Sequence, residues 1–223
     1  MVIPKAVPVF DKKSAEWMTK PNPGPHPNKH CIGLAVLLRD VLKVAKTSRE
    51  AHRILTNRMV EVDGKVRVEE KFPVGLMDIV SIPKSGKHYR ILLDKKGRLI
   101  PVEIKKEDVS SKLLRVIKKH TISKGKINIT LHDGRNMVAD NHIHVGDSIV
   151  VSLPKPELKS HLKREKGARC LVVEGKHAGS IVSLKDIIQR KGGKPPEAVV
   201  QQDKEEFITV ARYLFVVGDE VAA

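Results

Sequence analysis

Between Thr47 and Ile82 the apolar period of the chain changes from that of a helix to that of a strand, and this change constrains the fold more than any other feature. Thr47 stands three residues before Glu50, ahead of an apolar run. That is the pattern of a capping box, with the threonine hydroxyl on the amide of Glu50 and the glutamate carboxylate reaching back to the amide of Thr47. Ala51, Ile54 and Leu55 then share one side of a predicted helix, while Arg49 and Arg53 stand four apart on another. After Arg58 the period becomes two. Val60 and Val62 alternate with polar residues, Asp63-Gly64 supplies a hairpin turn that accepts positive φ, and Val66 and Val68 resume the alternation. Phe72-Pro73 breaks the ladder, and Gly75-Leu76-Met77-Asp78 turns the chain into a third strand at Ile79, Val80 and Ile82. A small unit built this way has one apolar side and one side studded with arginine.

Charge indicates what the arginine side faces. The chain carries 42 Lys and Arg against 26 Asp and Glu, a net charge of +16 over 223 residues. Self-repulsion of that size implies a polyanionic partner, and RNA, DNA and an anionic membrane surface all satisfy the charge alone. No apolar run approaches the roughly 20 residues that cross a bilayer. The N-terminus, MVIPKAVPVFDKK, lacks the apolar core of a signal peptide, so a cytoplasmic protein is expected. Aromatic residues make up only 3% of the chain: one Trp, two Tyr and four Phe. A sheet that binds single strands by stacking needs more, so binding is expected through phosphate and sugar. These features together point to an RNA-binding module. Cys31 and Cys170 stand far apart in different contexts and read as two buried free thiols.

Residues 1–30 read as an irregular arm. Pro21, Pro23, Pro25 and Pro27 alternate, which excludes helix and favours an extended path. Trp17 would either fasten this arm to the protein's own surface or stack on RNA. His26 and His30 read as solvated or phosphate-contacting, since no paired Cys-x-x-Cys accompanies them. From Ile32 to Ala45 the spacing predicts a helix with Leu34, Leu37, Leu38, Val41, Leu42 and Ala45 on one face and Arg39, Lys43 and Lys46 on the other.

The segments SREAHRIL, VEVDGKVR and FPVGLMDIVSI, preceded by PNPGPH and LAVLLRDVLKVAKT, resemble the four-e family of archaeal and eukaryotic small ribosomal subunit proteins. Its helix-helix-strand unit is similar to the RNA-binding module named after bacterial ribosomal protein four. The resemblance implies RNA contacts at Arg39, Lys43, Lys46, Arg49, Arg53, Arg58, Lys65 and Arg67. Where that module often has glycine before its first hairpin strand, Asn57-Arg58 stands here, and asparagine tolerates left-handed geometry.

Residues 88–153 read as β-rich. Tyr89–Leu93 and Leu99–Ile104 flank the turn Asp94-Lys95-Lys96-Gly97, and Ile127, Ile129 and Leu131 alternate into His132-Asp133-Gly134-Arg135. Val109–Lys119 fits helix or strand by pattern; the resemblance implies a short helix and then a strand. Lys105, Lys106, Lys112, Lys118, Lys119, Lys124 and Lys126 are either a solvated surface or RNA contacts. His142 and His144 stand two apart on one predicted strand face, with no third metal ligand evident. Pro154 and Pro156 mark a linker. Gly167–Val182 resembles a KOW motif, which implies a small SH3-like barrel with RNA contacts at Lys176 and His177. Its glycines suit positive φ and close approach of backbone to phosphate. Val182 stands where that motif commonly has a further glycine, which turns this half of the loop toward the core. The alternation from Phe207 to Val217 resembles the family's closing strands.

No phosphate-binding G-x-x-x-x-G-K-[ST], no Cys-His arrangement with an orienting group and no G-x-S-x-G elbow occurs. Asp63 and Asp133 are explained by their turns. The expectation is therefore a non-enzymatic, β-rich α+β protein of several domains without a cofactor. The expected parts are an arm (1–30), a helix-hairpin module (31–88), a central β-barrel-like domain (89–156) and a KOW domain (157–223). Its expected role is to bind and stabilise ribosomal RNA as a monomer within the small ribosomal subunit, beside neighbouring ribosomal proteins and away from membranes. The alternatives are a non-ribosomal RNA-binding factor and, less favoured, an RNA-modifying enzyme.

Overall fold

The computed structural model describes residues 6–8, 18–122, 125–202 and 205–218. Trp17 and Lys124 lie outside them. The chain divides into two compact units: Met1–Leu93 with Arg98–Lys112 and Ser152–Glu157, and Asp94–Gly97 with Leu113–Val151 and Leu158–Ala223.

In the first unit, strand β1 (Cys31–Gly33) leads into a short helix α1 (Leu34–Val36) that continues as a π-helical turn (Leu37–Val41). The helix expected over Ile32 to Ala45 is therefore shorter at both ends. Ile32 pairs with Val74 instead, and the amide of Leu42 bonds back five residues to Leu37, after which Lys43 takes a left-handed φ of 53°. Helix α2 (Ser48–Thr56) buries Ala51 and Leu55. Strands β2 (Glu61–Val62) and β3 (Lys65–Val66) form the expected hairpin, with φ of 52° at Asp63 and 70° at Gly64 matching a type I′ turn. The ladder ends at Val66, before Phe72-Pro73 and short of Val68, and Pro73 instead begins β4 (Pro73–Gly75), which pairs antiparallel with β1.

Strands β5 (Ile79–Ile82), β6 (Lys87–Leu93) and β7 (Leu99–Glu103) complete an antiparallel sheet of order β3-β2-β5-β6-β7. The boundary expected after residue 88 thus falls inside a strand. Only a 3-10 turn, Pro83–Ser85, separates β5 from β6, so Ile79 lies opposite Arg90 and the two strands share one sheet. After β7, a 3-10 turn (Lys106–Ser110) precedes β8 (Ser111–Thr121), which resolves the ambiguous Val109–Lys119 stretch as a short helical turn followed by a strand.

The second unit holds two further sheets. Strands β9 (Ile127–Leu131), β10 (Asn136–Ala139), β11 (Ser148–Ser152) and β12 (Leu158–Leu162) join β8 in the order β10-β9-β8-β11-β12. Their core gathers Leu114, Val116, Ile129, Leu131, Ile143, Ile149 and Val151. Because Ser148 pairs with Leu162, the segment 158–162 belongs to this middle sheet, and the division expected after residue 156 comes too early. Strands β13 (Arg169–Val172), β14 (Ile181–Ile188), β15 (Glu197–Gln202), β16 (Glu205–Val210) and β17 (Leu214–Val216) form the last sheet, ordered β16-β15-β14-β13-β17. Val182 is buried in its core with Cys170, Val200 and Leu214. The protein is thus β-rich, with few helices and several sheets.

Candidate nucleic-acid interface

Helix α2 is held at both ends by local chemistry. The Thr47 hydroxyl accepts from the amide of Glu50 at 3.2 Å, and the Glu50 carboxylate accepts from the amide of Lys46 at 2.7 Å. The capping box therefore closes one residue earlier than expected. At the other end the amide of Met59 reaches the carbonyl of Ile54, and that of Arg58 reaches Leu55. This is a Schellman motif whose left-handed position is Arg58, φ 55°, while Asn57 keeps φ −77°. The left-handed geometry expected of Asn57 thus falls one residue later. Glycine would be relaxed at that place; an arginine there turns its side chain outward at a conformational cost.

The expected RNA-contact residues of the first unit divide into three kinds. Lys43, Lys46, Arg49, Arg53, Arg58 and Lys65 are exposed, and their side chains hold no hydrogen bond or ion pair with the described residues. Arg39 is half-buried and committed: it forms an ion pair with Asp40 at 2.7 Å and donates to the Ser48 hydroxyl, tying the π-helical turn to the start of α2. Arg67 is also half-buried, its guanidinium 4.3 Å from the centre of the Phe72 ring. The second basic helix face expected from Arg39, Lys43 and Lys46 does not form as such. Lys43 and Lys46 lie in the connection after the helix rather than on it.

In the second unit Lys176 is exposed in the β13–β14 loop, and His177 beside it stacks on Phe207 with ring centres 4.0 Å apart. Gly179, φ 86°, does make a close backbone approach, but to the carbonyl of Asp94, where a side chain would overlap. In and beside the last sheet three basic residues are ion-paired, Lys185 with Glu206, Arg190 with Glu197, and Lys166 with Asp186.

Two basic residues that the sequence left open or exposed are internal, while Lys105, Lys106, Lys118 and Lys126 are exposed and Lys119 is half-buried. Lys112 is 1% exposed, with its ammonium 2.6 Å from both Asp63 and Asp78. His26, expected to be solvated, is 5% exposed and bonds Asp78 at 3.0 Å. Residues 18–30 consequently pack on the first unit, with the amide of Asn22 on the carbonyl of Lys71. His142 and His144 are exposed in the connection between β10 and β11 and not on a strand. Among the described residues no group of His, Cys, Asp and Glu could hold a metal ion. Cys31 and Cys170 are free and buried; burial pushes their thiols up to about 11 and about 12. Among the described residues no helix is long and apolar enough to cross a membrane.

The model of Ribosomal family S4e matches residues 85–158. The small ribosomal subunit protein eS4 of Archaeoglobus fulgidus is 43% identical over 93% of this chain and 87% of its own length. The corresponding protein of Methanothermobacter thermautotrophicus is 40% identical over 93% of this chain and 86% of its own. The crystal structure of the 30S ribosomal protein S4e from Thermoplasma acidophilum superposes with a TM-score of 0.74 at 33% identity, covering 85% of this chain and 95% of that one. These comparisons place the chain among ribosomal proteins, which are structural constituents and not enzymes. Within that class it belongs to the S4e family of the small subunit.

Proposed function

We propose that the protein braces folded RNA of the small ribosomal subunit in the cytoplasm by neutralising phosphates that would otherwise repel as RNA helices pack. The observation that carries this reading is the set of exposed cations on α2 and its flanks, Lys43, Lys46, Arg49, Arg53, Arg58 and Lys65, which meet no carboxylate among the described residues. A protein with no polyanion to meet gains nothing from leaving such a set without carboxylates, whereas phosphate contact uses each of them. Arg39 and Arg67 contact RNA from half-buried positions beside this set. In the second unit Lys176 and His177 supply a further contact on a KOW-type loop, opening an SH3-like barrel. The protein acts as a single copy between RNA and neighbouring ribosomal proteins.

Sedimentation tests this. The wild-type chain is expected to travel with free small subunits through a high-salt gradient, as a constituent does. The Arg49→Glu/Arg53→Glu variant is expected to fall off while keeping its circular dichroism spectrum. Release of the wild-type chain at high salt would indicate a dissociable RNA-binding factor instead. Unfolding of the variant would mean that the two arginines serve the fold.

A further inference from the structure

The first unit buries a cluster of ionisable groups drawn from four places in the chain. The Lys112 ammonium donates at 2.6 Å to Asp63 Oδ2 and at 2.6 Å to Asp78 Oδ1. Asp63 Oδ1 accepts from the amide of Ile79 at 3.1 Å, and Asp78 Oδ2 accepts from the amide of Gly75 at 2.9 Å. His26 Nε2 lies 3.0 Å from both oxygens of Asp78. Its ring covers Gly75, where any side chain would overlap it. Both carboxylates stand in tight turns: Asp63 opens the β2–β3 hairpin turn, and Asp78 closes the turn that feeds β5.

A buried ion cluster is a poor means of adding stability, because well-packed apolar residues of similar volume commonly do as well or better. What it supplies is fixed geometry, and the hairpin needs it. Strand β3 is the exposed edge of its sheet, paired to β2 alone through two residue pairs and the bond from the amide of Arg67 to the carbonyl of Val60. Asp63 ties this turn to the amide of Ile79 and to Lys112 at once.

We infer that Lys112 is a positioning residue for RNA contact, fixing the Asp63-Gly64 turn and so the strand and loop that present Lys65 and Arg67. Through Asp78 and His26 the same cluster seats residues 18–30 against the Gly75–Asp78 turn. This rests on the reading of Lys65 and Arg67 as RNA contacts.

The test is a thermodynamic cycle on the full chain, using transcribed small-subunit ribosomal RNA as probe. Lys112→Met is expected to weaken affinity roughly fivefold, the size of coupling seen between groups that act as one. In a Lys65→Ala/Arg67→Ala background the same change is expected to cost little more. Should Lys112→Met fail to fold, Asp63→Asn/Lys112→Met/Asp78→Asn removes all three charges together, and its affinity is expected to stay below wild type. Full additivity with Lys65→Ala/Arg67→Ala, or wild-type affinity in the charge-free variant, would overturn the inference alone. Equal affinity of wild type and Lys65→Ala/Arg67→Ala would overturn the contact reading with it.

Discussion

At the scale of single residues, the partner of a cation decides its role. Lys112 and Lys65 are chemically alike, yet one is enclosed between two aspartates and the other is exposed without a partner among the described residues. Arg115 shows the same division: its guanidinium donates to the carbonyls of Arg212 at 2.8 Å and Leu214 at 3.2 Å, and burial holds its pKa below the usual arginine range. Net charge alone therefore overstates the surface available to RNA. Asp78 gives a direct check. Burial alone would push its carboxyl up, but the charges of His26 and Lys112 outweigh that and hold it well below the usual range. A depressed carboxyl contributes stability that is present above its unfolded pKa and lost as pH falls toward its folded one. Asp78→Asn is expected to cost about 3 kcal/mol at pH 7, the penalty for breaking a buried pair. In urea denaturation the gap should narrow as the pH drops below about 4. A gap unchanged at pH 3 would contradict the ionised cluster.

At the scale of elements, what the sequence made legible was what neighbouring residues decide. The threonine cap, the arginines four apart on α2 and the Asp63-Gly64 turn all follow from interactions within a few positions. The buried cluster was not legible, because the partners of Lys112 stand 34 and 49 residues away. The same applies to sheet membership. β6 and β7 look like a separate hairpin in sequence, and only the register of β5 on β6 assigns them to the first sheet. Gly179 has the positive φ that a turn glycine accommodates, but its close neighbour is backbone of the same unit. The left-handed arginine at the end of α2 separates stability from function within one element. Arg58→Gly relieves a strained left-handed residue and is expected to raise stability by about 1 kcal/mol. It should also weaken RNA binding by removing a phosphate contact. A variant that gains stability and keeps full affinity would remove Arg58 from the interface.

At the scale of the whole molecule, +16 charges on a chain with few aromatics make binding a matter of counterion release. If six cations each neutralise a phosphate, the logarithm of affinity should fall with the logarithm of salt at a slope of about −5. A flat response would mean that apolar or base-specific contacts dominate. The most direct test of the central claim is ultraviolet crosslinking of the protein in cells, followed by sequencing of the bound RNA. Crosslinks confined to a few sites in small-subunit ribosomal RNA are the predicted result. Crosslinks scattered over messenger or transfer RNA, with none concentrated in the small subunit, would contradict it.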